Sequence, residues 1–215
     1  DEEGNCLIKC IGERAFSSKT MPSNIIIPSS VTKIEEWAFY GVITSHIDVH
    51  ENVHLANYSF YGSKMSTIDI RTPYFEGASI FNSCTNLKTI ALPNLTVLLD
   101  STFNGCTQLE SIELPDSLQL ISSSVFMNTN LKSLTIPANV TEIGKNSFWG
   151  CKQLGDITCL PTKAPSLGEE VFGKSTTNYT GINATTKTLT VPSNATGYES
   201  GDWKTVLQDK VGFTL

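Results

Sequence analysis

Apolar positions in this chain recur on a long period, near 22 residues, laid over short local alternation. Phe16, Phe39, Phe60, Phe81, Phe103, Phe126, Phe148 and Phe172 stand 23, 21, 21, 22, 23, 22 and 24 residues apart. A second column keeps step with them: Pro28, His50, Arg71, Pro93, Pro115 and Pro137, spaced 22, 21, 22, 22 and 22. Two columns locked to one period mark an internal repeat, which decides the fold before any single element does. The clearest units are "LESIELPDSLQLISSSVFMNTN" from Leu109 and "LKSLTIPANVTEIGKNSFWGCKQ" from Leu131. Their shared skeleton is L-x-x-I-x-L-P-x-x-V-x-x-I-x-x-x-x-F-x-G-C.

Each unit reads as one coil of a solenoid. Leu131, Leu134 and Ile136 suit a short strand. Pro137 ends it, because proline has no N–H to give a sheet ladder. Val140 and Ile143 then cross the coil. Phe148, Cys151 and Leu154 fall at i, i+3 and i+6, which predicts a single helical turn on the far side. One coil buries too little apolar surface to offset the entropy of ordering its backbone. Stacking removes the deficit, since each coil covers its neighbours and pairs their strands.

The skeleton resembles the BspA-like class of leucine-rich repeats, which are surface and secreted proteins. The segments that carry the likeness are "IIIPSSVTKIEEWAFYG", "IALPNLTVLLDSTFNGC", "IELPDSLQLISSSVF" and "LTIPANVTEIGKNSFWGC". It covers roughly Ile8 to Phe172. It implies an α/β solenoid: a right-handed superhelix of about seven coils. Short parallel strands line its concave face, and second short strands and single helical turns form the convex side. The coils at His50 and Arg71 depart from the pattern by lacking the proline, and "TPYFEGASIF" is irregular, its turn rebuilt around Pro73. Residues 1–156 read as the repeat solenoid, with 1–16 a partial coil or N-terminal cap. Residues 157–215 read as the last coil and a C-terminal capping segment, since the period breaks after Phe172. "LTVPSNATGYESGDWKTV" resembles the closing segment of the family, with Tyr198 and Trp203 expected to cover the last coil.

Composition narrows the partners. The net charge is −6, with no basic stripe, which argues against nucleic acid. No run approaches the roughly 20 apolar residues of a membrane span. The opening "DEEGNC" has neither a basic n-region nor an apolar h-region, so a leader is either lacking or already removed, and a lipid anchor upstream of Asp1 stays open. Six cysteines without a C-x-x-C pair fit neither a zinc ribbon nor a disulfide scaffold. Cys84, Cys106 and Cys151 each follow a repeat Phe by three residues, an inward position, and are expected as free thiols. Cys84 and Cys106 on adjacent coils are near enough in principle for a disulfide, and Cys6 with Cys10 is a second candidate pair. N-x-S/T sequons stand at Asn57, Asn94, Asn139, Asn178, Asn183 and Asn194, and are expected to be silent in a bacterial source. Nucleophile-elbow, Walker, Rossmann and HExxH motifs are missing, so no cofactor is expected.

All three histidines lie in "HIDVHENVH", at His46, His50 and His54. Helical spacing would stack them, but the repeat frame makes this segment a strand and a turn. A weaker metal set survives on the strand face: His46, Asp48, His50 and Asp69. The main candidate is the exposed strand face itself. One outward column runs His46, Thr67, Thr89, Ser111, Ser133, Asp156. The next runs Ile26, Asp48, Asp69, Ala91, Glu113, Thr135, Thr158. Solenoids generally bind through such a face. The irregular coils with Tyr58, Tyr61 and Tyr74 are a second candidate surface. The expected function is non-catalytic binding or adhesion in a secreted or cell-surface bacterial protein, an outer-membrane lipoprotein being one form. The resemblance implies a protein ligand, such as a host matrix or surface protein. Surface glycan binding is the alternative. A metal-assisted hydrolase around His46, Asp48 and Asp69 is a third reading.

Overall fold

The computed structural model describes residues 7–173, 184, 187–205 and 214. They form a parallel solenoid with two rows of strands. The first row is Asn24–Ile26, His46–Val49, Thr67–Ile70 and Thr89–Ile90. It resumes with Ser133–Ile136, Asp156–Cys159 and Thr188–Thr190, and the Ala91–Glu113 bridge lies between the two groups. Every pairing is parallel and matches equivalent repeat positions: Ile47 with Ile68, Leu134 with Ile157, Ile157 with Leu189. The second row is made of two-residue strands. Cys10–Ile11, Lys33–Ile34 and His54–Leu55 pair in order, as do Val97–Leu98, Leu120–Ile121, Glu142–Ile143 and Ser166–Leu167. A coil this small turns two corners between its rows, so its strands stay short.

The prolines close the first corner. Val31 N donates to Pro28 O, Leu118 N to Pro115 O, and Val140 N to Pro137 O, each an i to i+3 turn. At the two coils without proline other groups do this. Thr72 Oγ1 donates to Val53 O and accepts from Tyr74 N, and Phe75 N donates to Pro73 O. The turn is rebuilt around Pro73, and Phe75 becomes a buried residue bridged to Leu55.

The far side differs from the single helical turn expected there. Residues around each Phe make i to i+3 bonds at alternate N–H groups: Tyr40 to Trp37 O, Val42 to Phe39 O. The intervening N–H groups donate to the next coil: Phe39 to Ser59 O, Gly41 to Tyr61 O. A regular helix would spend every N–H on itself; this turn divides them between itself and its neighbour. The alternation requires left-handed backbone at two places. The residue two before each Phe has positive φ in all eight coils: Arg14, Trp37, Tyr58, Ser79, Ser101, Ser124, Asn146 and Glu170. The residue two after Phe is left-handed as well from Ser18 to Gly150, which accounts for Gly41, Gly62, Gly105 and Gly150 in the F-x-G-C skeleton.

The core is a file of stacked side chains. From Phe16 to Phe172 the eight rings stack with centroids from 5.2 Å to 5.8 Å apart. Phe39 to Phe172 in this file are fully buried. Cys84, Cys106 and Cys151 sit in the next buried file. Their Sγ atoms donate to Phe60 O, Phe81 O and Phe126 O of the preceding coil at 3.1, 3.1 and 3.0 Å. Ser63 Oγ does the same to Phe39 O at 2.5 Å. They are free thiols that bind as donors, more than the small apolar fillers the spacing suggested. Cys10 is exposed, and Cys6 lies outside the described residues.

At the C-terminal side Tyr198 and Trp203 are buried and meet edge-to-face at 4.9 Å. Tyr198 Oη donates to Pro161 O at 3.0 Å, and Trp203 Nε1 to Pro165 O at 2.6 Å.

Candidate binding surfaces

The first-row sheet brings the expected outward residues into register. His46 pairs with Thr67 and Thr67 with Thr89; Asp48 pairs with Asp69; Ser133 pairs with Asp156 and Thr135 with Thr158. His46 to Glu113 lie beside one shallow groove of about 500 Å³, lined by His46, Thr67, Asp69, Thr89, Ser111 and Glu113 together with the edges of inward isoleucines. Ser133 and Thr135 continue the exposed face beyond it. His46 Nδ1 meets Thr67 Oγ1 at 2.9 Å, and its Nε2 lies 3.6 Å from Asp69 Oδ2. Arg71 Nη2 reaches back to Asp48 Oδ1 at 2.7 Å. The charges on this face therefore pair across neighbouring strands, and Asp69 and Glu113 stay exposed.

The weaker metal set is not assembled. His50 is buried in the proline column. Its Nδ1 accepts from Asn52 N at 3.3 Å, so its Nε2 carries the proton and donates to Pro28 O at 3.1 Å. Both ring nitrogens are thus committed to the backbone turn. Asp48 is held by Arg71, leaving His46 with Asp69 as a pair. Among the described residues no three His, Cys, Asp or Glu side chains gather in a metal-binding group. His54 faces another way, stacked on Tyr74 at 4.4 Å with its Nδ1 2.6 Å from Glu76 Oε1. The three histidines serve three separate local purposes.

A second surface lies on the turn side. Trp37 and Tyr58, two before their repeat Phe, stack at 4.3 Å and 10°. Tyr40 and Tyr61, one after it, stack at 5.7 Å and 19°. The pairs touch edge-on, Trp37 with Tyr40 at 5.4 Å and Tyr58 with Tyr61 at 6.0 Å. Arg14 lies over Trp37, 6.0 Å from the ring centroid. Together with Ser17, Ser79 and Asn82 these residues line a cavity of about 650 Å³. Tyr58 and Tyr61 were sequence candidates; Tyr74 belongs to the His54 contact instead.

The model of the BspA type leucine-rich repeat region matches residues 6–93 and 76–199, in six copies. The chain belongs to the BspA-type leucine-rich repeat family. Comparison with curated proteins finds no match. Among solved structures, a leucine-rich cell-surface protein of Faecalibacterium prausnitzii is 21% identical with a TM-score of 0.51, over 80% of this chain and 64% of that one. A leucine-rich repeat protein of Bacteroides ovatus is 21% identical, with a TM-score of 0.47, over 86% of this chain and 59% of that one. The leucine-rich repeat protein of T. pallidum is 25% identical, with a TM-score of 0.46, over 70% of this chain and 75% of that one. The BspA-type chain described here thus spans less than two thirds of the length of the first two.

Seen as BspA-type columns, the aromatic cluster becomes legible. The positions two before Phe carry Ser or Asn from the fourth to the seventh coil, at Ser79, Ser101, Ser124 and Asn146. Those residue types tolerate left-handed backbone better than bulky ones. Trp37 (φ 58°) and Tyr58 (φ 56°) adopt it all the same. Sequence reading missed Trp37 and Tyr40 because their coil matches the repeat well. The available signal was two large aromatics at equivalent positions of adjacent coils.

Proposed function

We propose that this protein is a non-catalytic binding module of a secreted or cell-surface protein, and that its partner is a protein. The first-row strand face is the proposed contact surface. One observation carries this: outward residues of successive coils stand in register beside a groove of about 500 Å³, presenting hydroxyls and carboxylates on a rigid sheet. Coil stacking fixes their spacing, so little order is lost on binding. The face is acidic at Asp69 and Glu113, which suits a partner with a basic surface. A host matrix or surface protein fits that chemistry. The family membership and the cell-surface description of the F. prausnitzii protein support the location.

Charge reversal tests the surface. Asp48→Lys, Asp69→Lys and Glu113→Lys together are expected to abolish capture of partners from extracellular-matrix and surface extracts. The circular dichroism spectrum should be unchanged, since Asp69 and Glu113 are exposed and the change at half-buried Asp48 removes a side-chain pair with Arg71 but no backbone ladder bond. Capture at wild-type levels by the triple variant would move the contact surface off this face.

A further inference from the structure

We propose that the turn-side cavity formed by Arg14, Trp37, Tyr40, Tyr58, Tyr61 and Asn82 binds an oligosaccharide that carries a carboxylate. Three observations meet there. The first is side-chain identity. The fold sets left-handed φ at this position in every coil, and four later coils fill it with Ser or Asn, whereas Trp37 and Tyr58 place two large flat rings there side by side.

The second is spacing. Each aromatic column is two rings long, and the following coil offers only Ser79 beside Tyr58 and Asn82 beside Tyr61. The rungs before that step lie 4.3 and 5.7 Å apart. Beyond Tyr58 and Tyr61 there is thus a rung without a ring, in the same cavity, with a hydroxyl and an amide at its floor. A pyranose is a ring with an apolar C–H face and a hydroxyl rim. It matches aromatic faces bordered by Ser79 and Asn82. A quaternary ammonium does not fit, because the Trp37–Tyr58 gap is closed at 4.3 Å and Arg14 already occupies the cation position over Trp37.

The third is charge. Arg14 is the single charged residue among those lining the cavity, in a chain of net charge −6. Its guanidinium is largely exposed, with only a loose 3.6 Å contact to Glu13. It stands at the end opposite Asn82, where it would pair with a sugar carboxylate. A cavity of about 650 Å³ is of a size suited to a short oligosaccharide rather than a lone monosaccharide.

The test is a glycan array holding neutral oligosaccharides beside their uronic- and sialic-acid counterparts, followed by calorimetry on the best binder. Wild type is expected to bind acidic members at least tenfold more tightly than neutral ones, with affinity falling as salt rises. Arg14→Gln should bring acidic sugars down to the neutral level. Trp37→Ser and Tyr58→Ser should each lose tenfold or more on both. The serine variants adopt the residue type of later coils, so their melting temperature should hold, which separates lost binding from lost folding. Asp69→Lys and Glu113→Lys should leave glycan binding intact, so this site and the strand-face reading fail independently. Serine variants that bind like wild type, an array with no bound glycan, or binding of a proline-rich peptide in place of sugars would each overturn the assignment.

Discussion

Cys84, Cys106 and Cys151 show how one residue type serves two needs at a single repeat position. The site is fully buried and too narrow for a large side chain, yet each Phe carbonyl there has a lone pair beyond the one used by its own turn. A thiol or hydroxyl fills the space and donates. Burial pushes Cys84 from 9.0 up to about 12 and Cys151 up to about 11, and raises Cys106 well above 9.0. Unfolded, these thiols ionise near the ordinary value; folded, they hold their protons. From about pH 9.0 up to about 11 the folded chain therefore binds more protons than the unfolded one, and stability falls as pH rises, by at most about 1.4 kcal/mol per pH unit for each thiol. Urea unfolding at rising alkaline pH should show this fall, and Cys84→Ser with Cys151→Ser should flatten it. A wild-type curve no steeper than the variant's would contradict the burial argument. The repeat placed these cysteines inward from sequence alone. Their donor role was hidden, because the accepting carbonyls belong to another coil.

Elements here are defined by what lies against them in the neighbouring coil. The turn that contains each repeat Phe reads as helical by spacing, and its bonding shows alternate N–H groups crossing to the next coil instead. Gly77 is the strongest case of such dependence. A Cβ on Gly77 would fall 2.0 Å from Asn57 N and 2.3 Å from Ala56 C, both backbone of the preceding coil. Backbone held by its own ladder bonds has no room to move aside. Gly77→Ala is expected to cost more than about 2 kcal/mol in chemical denaturation. Gly12→Ala is the control, because nothing lies within 4 Å of its Cβ position. It should be neutral or stabilise by up to about 1 kcal/mol through the unfolded chain. Equal effects at the two glycines would mean that coil-to-coil approach does not govern the turn.

At the scale of the molecule, stability is a sum of contacts between nearest coils. We propose that Tyr198 and Trp203 close the C-terminal side of the stack, through the carbonyls of Pro161 and Pro165. Trp203→Ala should cost about 3–5 kcal/mol and open the last coil first. Hydrogen exchange is the measurement: protection should drop at Asp156–Cys159 and persist at His46–Val49 and Thr67–Ile70. A uniform drop along the chain would show one cooperative block instead. The period of Phe and Pro, readable in the sequence, determined the solenoid, the parallel register and the outward strand columns, because a repeat that must stack on itself has one way to align. The sequence also marked Tyr58 and Tyr61, though as irregularity rather than as a site. Only the tertiary structure decided that His50 belongs to a backbone turn, that the three histidines work apart, and that Trp37 and Tyr40 join the tyrosines of the next coil beside Arg14. Those outcomes rest on contacts between residues about 22 positions apart, whose partners a repeat frame aligns without saying which atoms will bond.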